Sequence, residues 1–234
     1  MFGQLKGDGQ AGQAGADDHD LILRIGKGHS VKAGAAEQAQ LDNWLIMIRT
    51  TATDRAWRAL RPALHERGIV SWLAEPGSLT RRLRAACGRL ELVLLRQRYA
   101  RPLPDEAALL GLRPGQRAWV REVLLLADGR PVLYAHSIAH PSSLRAAWRP
   151  LSKVGLRPVG DAIFERRGLQ RGPIRMRRLG DRDRLHRAAR LALATRAGPL
   201  PALWARRSPF VLAGHALWIT EVFLPAIVTI GAAS

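Results

Sequence analysis

The sequence predicts an α+β protein, and three observations carry the prediction. Two apolar stretches each fold back on themselves as strand pairs, one around Asp128-Gly129 and one around Gly214-His215. A further apolar run, Leu90–Tyr99, reads as a strand between turn signals. Around these lie only short helical patterns, each closed by Gly or Pro. At 234 residues and 47% hydrophobic content the chain can bury a sizeable core.

Taken in order, residues 1–53 stand apart. Gly, Ala, Gln and Asp dominate, and only Leu21–Ile25 and Trp44–Ile48 are apolar enough to pack. A poorly ordered extension is expected there, with the folded domain over 54–234. Gly7-Asp8-Gly9-Gln10-Ala11-Gly12 matches a dinucleotide-binding glycine pattern, but no strand precedes it and no helix follows. Asp17-Asp18-His19-Asp20 is a run of solvated polar residues rather than a metal site.

From Asp54, Trp57, Leu60 and Leu64 fall at helical spacing, interrupted by Pro62 and Gly68. Val70–Leu73 leads to a turn at Glu75-Pro76-Gly77. Ser78 then caps a helix carrying Leu79, Leu83 and Ala86, stopped by Gly88. Arg101–Pro104 ends the strand Leu90–Tyr99, and Asp105–Leu110 makes a short helical turn closed by Gly111. After the central hairpin, Pro141-Ser142-Ser143-Leu144 opens one short helix and Pro158–Glu165 forms another. Arg166–Leu200 is Arg-rich and yields only a basic amphipathic helix over Leu185–Leu193. The stretch Pro209–Gly231 is long enough to span a bilayer, yet Gly214, Glu221 and Pro225 interrupt it. It reads as a second hairpin, Phe210–Ala213 with Ala216–Leu224, and no membrane insertion is expected.

The formal charge of +18, from 37 Lys+Arg against 19 Asp+Glu, implies an anionic partner, good solubility or both. The arginines are spread along the chain rather than clustered, so a nucleic-acid reading rests on charge alone and no nucleic acid is expected. The single cysteine, Cys87, excludes an internal disulfide. No basic segment followed by an apolar run opens the chain. A monomer in the cytoplasm is expected.

The run Arg117–His140 organises the rest. An Asp-Gly turn matches the twist of paired strands. With alternating side chains, Arg121 shares a face with Trp119, Val123 and Leu125, while Glu122 points the other way. A guanidinium among such neighbours requires a carboxylate or a bound anion. On the second hairpin Glu221 shares a face with Leu217, Ile219 and Phe223. The two charges face a common cavity, or form a plain structural ion pair, or lie at a solvated edge. Arg81, Arg82, Arg206 and Arg207 are candidates for steering an anion, with surface solvation the commoner fate. His136 and His140 have the spacing of zinc ligands on a helix, but they end a strand, and no metal is expected.

Several of these segments together resemble a known family. Trp72-Leu73 with Gly77-Ser78-Leu79-Thr80-Arg81-Arg82-Leu83, then Trp119-Val120-Arg121-Glu122-Val123, are similar to the chorismate pyruvate-lyases (chorismate lyases) of ubiquinone biosynthesis. So are Ala127-Asp128-Gly129 with Pro131, Leu156-Arg157-Pro158-Val159-Gly160, Trp204-Ala205-Arg206-Arg207-Ser208 and Thr220-Glu221-Val222-Phe223-Leu224-Pro225. The resemblance follows the family's order from about Asp54 to Ala226. It implies a single antiparallel β-sheet with short helices packed on it and a site closed beneath helical flaps. It also implies conversion of chorismate to 4-hydroxybenzoate and pyruvate without any cofactor. Carried over by motif, Arg121 grips the ring carboxylate and Glu221 binds the ring hydroxyl end. Leu79 and Val159 contact the ligand through their backbones. A carboxylate desolvated at Glu221 would hold its proton nearer neutrality, as a general base requires, although anchoring the hydroxyl with electrostatic assistance is the favoured role. The alternative of another class is a non-catalytic effector-binding domain of the same fold, as in bacterial transcription regulators. Residues 1–53 lack the helix-turn-helix pattern that such a regulator would carry.

Overall fold

A computed structural model describes residues 56–59, 67–193 and 199–230; the expected extension over 1–53 lies outside them. Eight strands among the described residues form one antiparallel sheet: β1 (Arg58–Ala59), β2 (Leu90–Ala100), β3 (Ala118–Ala127), β4 (Arg130–Ala139), β5 (Gln170–Arg171), β6 (Arg175–Leu179), β7 (Leu203–Leu212) and β8 (His215–Phe223). Their order across the sheet is β1-β6-β7-β8-β4-β3-β2, with β5 paired to β7. Five short helices pack on it: α1 (Arg67–Leu73), α2 (Leu79–Ala86), α3 (Pro104–Leu109), α4 (Val159–Phe164) and α5 (Arg184–Ala192). The fold is α+β, as the hairpins and short helices require.

The turn chemistry explains the two hairpins. Asp128 and Gly129 take φ of 50° and 74°, the left-handed pair that a tight two-residue turn demands. In the second hairpin the turn is Ala213-Gly214, with φ of 47° and 74°, one residue earlier than expected. Ala213 accepts an unfavourable backbone there because β7 and β8 are already fixed in register, Leu212 opposite His215.

Alternation then divides the sheet into two faces. On the front, α1 and α2 place Trp72, Leu73, Leu79 and Leu83 against Leu125, Leu133 and Phe223. At the other end of that face, Trp148, Leu151, Val159 and Ile163 pack on Trp119, Phe210, Leu217 and Ile219. A gap remains between the two clusters. On the rear, α5 and Trp57 cover Leu124, Tyr134, Ala205 and Val222, and Leu109 of α3 covers Val120, Ile138 and Trp218.

Three local expectations are corrected. Trp57 precedes strand β1, which pairs with β6, rather than opening a helix; residues 60–66 are not among those described. Residues 141–148 form consecutive turns, and the only regular coil nearby is a 3-10 turn at Arg149–Lys153. Finally, β7 begins at Leu203, not Phe210. Its early half carries Arg206 and Arg207, which are 1% and 2% exposed, so surface solvation is not their role. Buried arginines break the apolar run by which a strand is recognised.

Candidate active site

The gap on the front face is a pocket, partly open to solvent, between the sheet and the first turns of α2 and α4. Strand β4 forms its floor. Its side chains there are small, Ala135 and Ser137, flanked by Val123, Leu125 and Leu133. Arg121 stands opposite Ser137 from β3, and Glu221 stands opposite Ala135 from β8. Two inter-strand spacings and a two-residue offset separate the backbone positions of the two residues, about 10 Å across the sheet and about 7 Å along it. Both line the pocket, as do Leu79 and Val159.

Arg121 is 1% exposed. Its Nη1 donates to Gln97 Oε1 at 2.6 Å, and its Nη2 to the carbonyls of Gly155 and Arg157 at 2.9 and 3.1 Å. Every one of these acceptors is neutral, and its Nε has no partner. Burial pushes the guanidinium down to about 10, so it stays charged at neutral pH. A positive charge is therefore buried with no described carboxylate within reach, facing an open pocket. Such an environment suits an anion.

Glu221 is ion-paired, though not with Arg121. Arg206, its register partner on β7, donates Nε to Oε2 at 2.6 Å. The other end of the same guanidinium donates to Glu75 O at 2.5 Å and, at 3.4 Å, to the carbonyls of Trp72 and Leu73. Arg206 thus caps the C-terminus of α1, where unpaired carbonyls and the helix dipole favour a cation. Glu221 Oε1 remains for a ligand.

Arg171 was missed in the sequence, because it lies on the two-residue strand β5 within the Arg-rich stretch. Its Nη1 donates to Pro76 O and Gly77 O at 2.6 and 3.2 Å, and its Nε to Ser208 Oγ at 3.1 Å. Burial, then the neighbouring Arg206, push it down to about 10. The pocket lining thus holds three arginines, Arg121, Arg171 and Arg206, against one carboxylate, Glu221. That surplus of two positive charges suits a dianion.

The lid consists of two helix starts. Ser78 caps α2 by accepting from Arg81 N at 3.3 Å, and Leu79 is the first residue of that helix. Val159 is the first residue of α4. The two starts meet at Gly160, where a Cβ would lie 3.2 Å from Ser78 Oγ and 3.3 Å from Thr80 Oγ1, so glycine permits the closure. Arg84 and Asp161 tie the helices together at 2.6 Å. Of the other candidates, Arg81 is exposed and Arg82 lies over the Trp72 ring at 4.1 Å. Burial and Asp128 raise the half-buried Cys87, so it remains a thiol. His136 lies between two glutamates on the rear face. Among the described residues, no three His, Cys, Asp or Glu side chains are arranged to hold a metal ion, and no helix is long and apolar enough to cross a membrane.

Residues 59–231 match the chorismate lyase family. A probable chorismate pyruvate-lyase of Azoarcus sp. (strain BH72) is 46% identical over 177 residues, which is 75% of this chain and 94% of that one. A probable chorismate pyruvate-lyase of Aromatoleum aromaticum is 48% identical over 170 residues, 73% of this chain and 91% of that one. The C-terminal domain of the histidine utilization repressor from Pseudomonas syringae pv. tomato superposes only loosely, with a TM-score of 0.42 and 12% identity over 59% of this chain and 93% of that one. With the family match covering most of its length, and with relatives approaching half identity, the chain belongs to the chorismate lyase family.

Proposed function

We propose that the front pocket binds chorismate and releases pyruvate from it, leaving 4-hydroxybenzoate, the aromatic acid used in ubiquinone biosynthesis. The observation that carries this reading is the buried Arg121 guanidinium, held only by neutral acceptors and open to a pocket whose far end is also cationic.

In this reading Arg121 forks the ring carboxylate. Its planar pair of N–H groups matches a carboxylate in a way that lysine does not. Glu221 Oε1 accepts from the C4 hydroxyl, across the small floor of Ala135 and Ser137. Arg171 and Arg206 lie on the Glu221 side, where the enolpyruvyl carboxylate would sit. Leu79 and Val159 offer backbone N–H groups from the first turns of α2 and α4, which have no intrahelical acceptor.

The chemistry asks little of the protein. The C4 proton leaves, its electron pair completes the aromatic ring, and the C3–O bond breaks with its electrons on the departing enolpyruvate. A proton on the methylene carbon then gives pyruvate. Aromatisation supplies the driving force, and holding the reacting geometry can contribute roughly 7–11 kcal/mol in favourable cases. Pairing with Arg206 makes Glu221 chiefly an anchor and an electrostatic partner of the polarised C4–H. The enolpyruvyl group of the substrate is well placed to take the proton itself. Everything the reaction needs comes from one chain, which supports a monomer, and a soluble dianionic substrate supports the cytoplasm as its place.

Purified full-length protein is expected to convert chorismate with 4-hydroxybenzoate absorbance and pyruvate appearing in equal amounts. Folded protein without turnover overturns the enzyme reading, and tight binding without turnover supports the effector-binding alternative.

A further inference from the structure

The rear face, which the reaction does not use, carries a buried ionic cluster. His136 of β4 is 5% exposed, with Nδ1 3.1 Å from Glu122 Oε1 of β3 and Nε2 3.0 Å from Glu106 Oε1 of α3. Arg96 of β2 pairs with Glu122. Arg207 of β7 approaches Glu106 to 3.8 Å, donates to Asp105 Oδ2 at 2.8 Å and to Thr220 Oγ1 of β8 at 2.9 Å. Glu106 also accepts from Leu103 N at 2.9 Å through Oε2, and Tyr134 lies beside Glu122. With His136 protonated, three cations face three carboxylates. With it neutral, one carboxylate is buried unbalanced.

Apart from Arg96 of β2, each strand member of this cluster is the sequence neighbour of a pocket residue. Glu122 follows Arg121, Arg207 follows Arg206 and Thr220 precedes Glu221, while His136 lies between Ala135 and Ser137. Alternation makes this coupling rigid. A one-residue slip that turned Arg121 to the rear would bring Glu122 to the front and break the cluster. An ionic cluster of this kind adds little net stability over apolar packing, but in some proteins buried polar groups of this sort specify register.

We propose that His136, with Glu122 and Glu106, is a positioning device that locks β3, β4, β8 and β7 in the register setting Arg121 against Glu221. It acts through the backbone of the strands and never touches the ligand. The proposal rests on the reading of the front pocket given above. The cluster works only while His136 is charged. Although burial opposes that charge, Glu106 and Glu122 outweigh it and push the imidazole up to about 9.

The test is the pH dependence of kcat/KM for chorismate and of 4-hydroxybenzoate binding by calorimetry, from pH 6 to 10. Wild-type protein is expected to lose both on an alkaline limb near pH 9, below the pH at which circular dichroism reports unfolding. Folded His136→Gln should fall tenfold to a hundredfold at pH 7, the scale of a misplaced site, and lose the limb. His136→Arg, charged throughout, should recover activity and also lack the limb. If His136→Gln fails to fold, Glu106→Gln is decisive: with one carboxylate gone, the limb should move to lower pH. An unmoved limb in these variants, which would assign it to Arg121 and Arg171, or a flat wild-type profile, overturns the proposal. Binding without turnover removes the enzyme reading alone and leaves the binding profile to decide. Protein that does neither overturns both.

Discussion

Replacing Arg121 with methionine separates a ligand clamp from a structural strut. The side chain is 1% exposed, so an unbranched apolar residue of similar reach fills its place. In the free protein the guanidinium makes three charge-assisted hydrogen bonds, to Gln97 and to the carbonyls of Gly155 and Arg157. Each contributes about 1.5–3 kcal/mol, against a desolvation cost of several kcal/mol for an unneutralised charge. The two sides nearly cancel, and Arg121→Met should change stability by about 1 kcal/mol or less, a few degrees in Tm for a chain of this size. Ligand binding should respond very differently. Removing one partner of a buried charge pair costs about 2–5 kcal/mol, which is roughly 30-fold to 5,000-fold in Kd. Thermal melts and calorimetry with 4-hydroxybenzoate measure both quantities on the same preparation. Methionine protein that binds within about threefold of wild type, or that loses many degrees in Tm, refutes the clamp.

Four further outcomes follow from the same geometry. Glu221→Gln should lower kcat and product affinity by similar factors if the side chain is an anchor, whereas a loss confined to kcat would assign it the proton. Ala135→Leu should fill the floor between Arg121 and Glu221 and abolish binding, with a stability cost of about 1–3 kcal/mol from overpacking. Stability should fall on both sides of neutrality, read as Tm against pH. The raised His136 gives stability that is complete below pH 6.5 and is lost as pH rises through about 9, up to about 3 kcal/mol, while the lowered Glu106 and Glu122 give stability present above pH 4.5 that is lost as pH falls. Protein lacking residues 1–53 should keep its turnover; a collapse would make that segment part of the folded domain.

What could be read from the sequence was whatever local chemistry dictates. Asp128-Gly129 fixed one hairpin, Ser78 marked the start of α2, and a lone charge in an apolar strand singled out both Arg121 and Glu221. Strand parity then placed each of them on the correct face. The missed features depend on partners distant in the chain. Arg206 and Arg207 look solvated until β7 is seen between β6 and β8, with a carboxylate on either face to receive them. Arg171 sits on a strand too short to carry a pattern, and its partners, Pro76 and Gly77, are more than ninety residues away. One signal was available and unused. The front of β4 runs Leu133, Ala135, Ser137, Ala139, and such shrinking of side chains in the middle of a sheet marks the floor of a cavity.

The two faces of the sheet treat charge in opposite ways, and the contrast supports the proposal of an anionic ligand in the pocket. Behind the sheet, Arg96, His136 and Arg207 are matched in charge by Glu122, Glu106 and Asp105 in the free protein. In front, Arg121 is buried and Arg171 half-buried, both hydrogen-bonded to neutral acceptors, while Arg206 is paired directly with Glu221. A buried charge without a counter-charge is a cost carried by the folded state, and an anion that enters the pocket removes it. Binding energy from that source acts on the carboxylates, away from the C4–H and C3–O bonds that react. It can therefore serve to hold chorismate in the one orientation from which aromatisation proceeds. The sheet joins the two functions because neighbours in sequence point to opposite sides: the balanced face sets the register, and that register gives the unbalanced face its spacing.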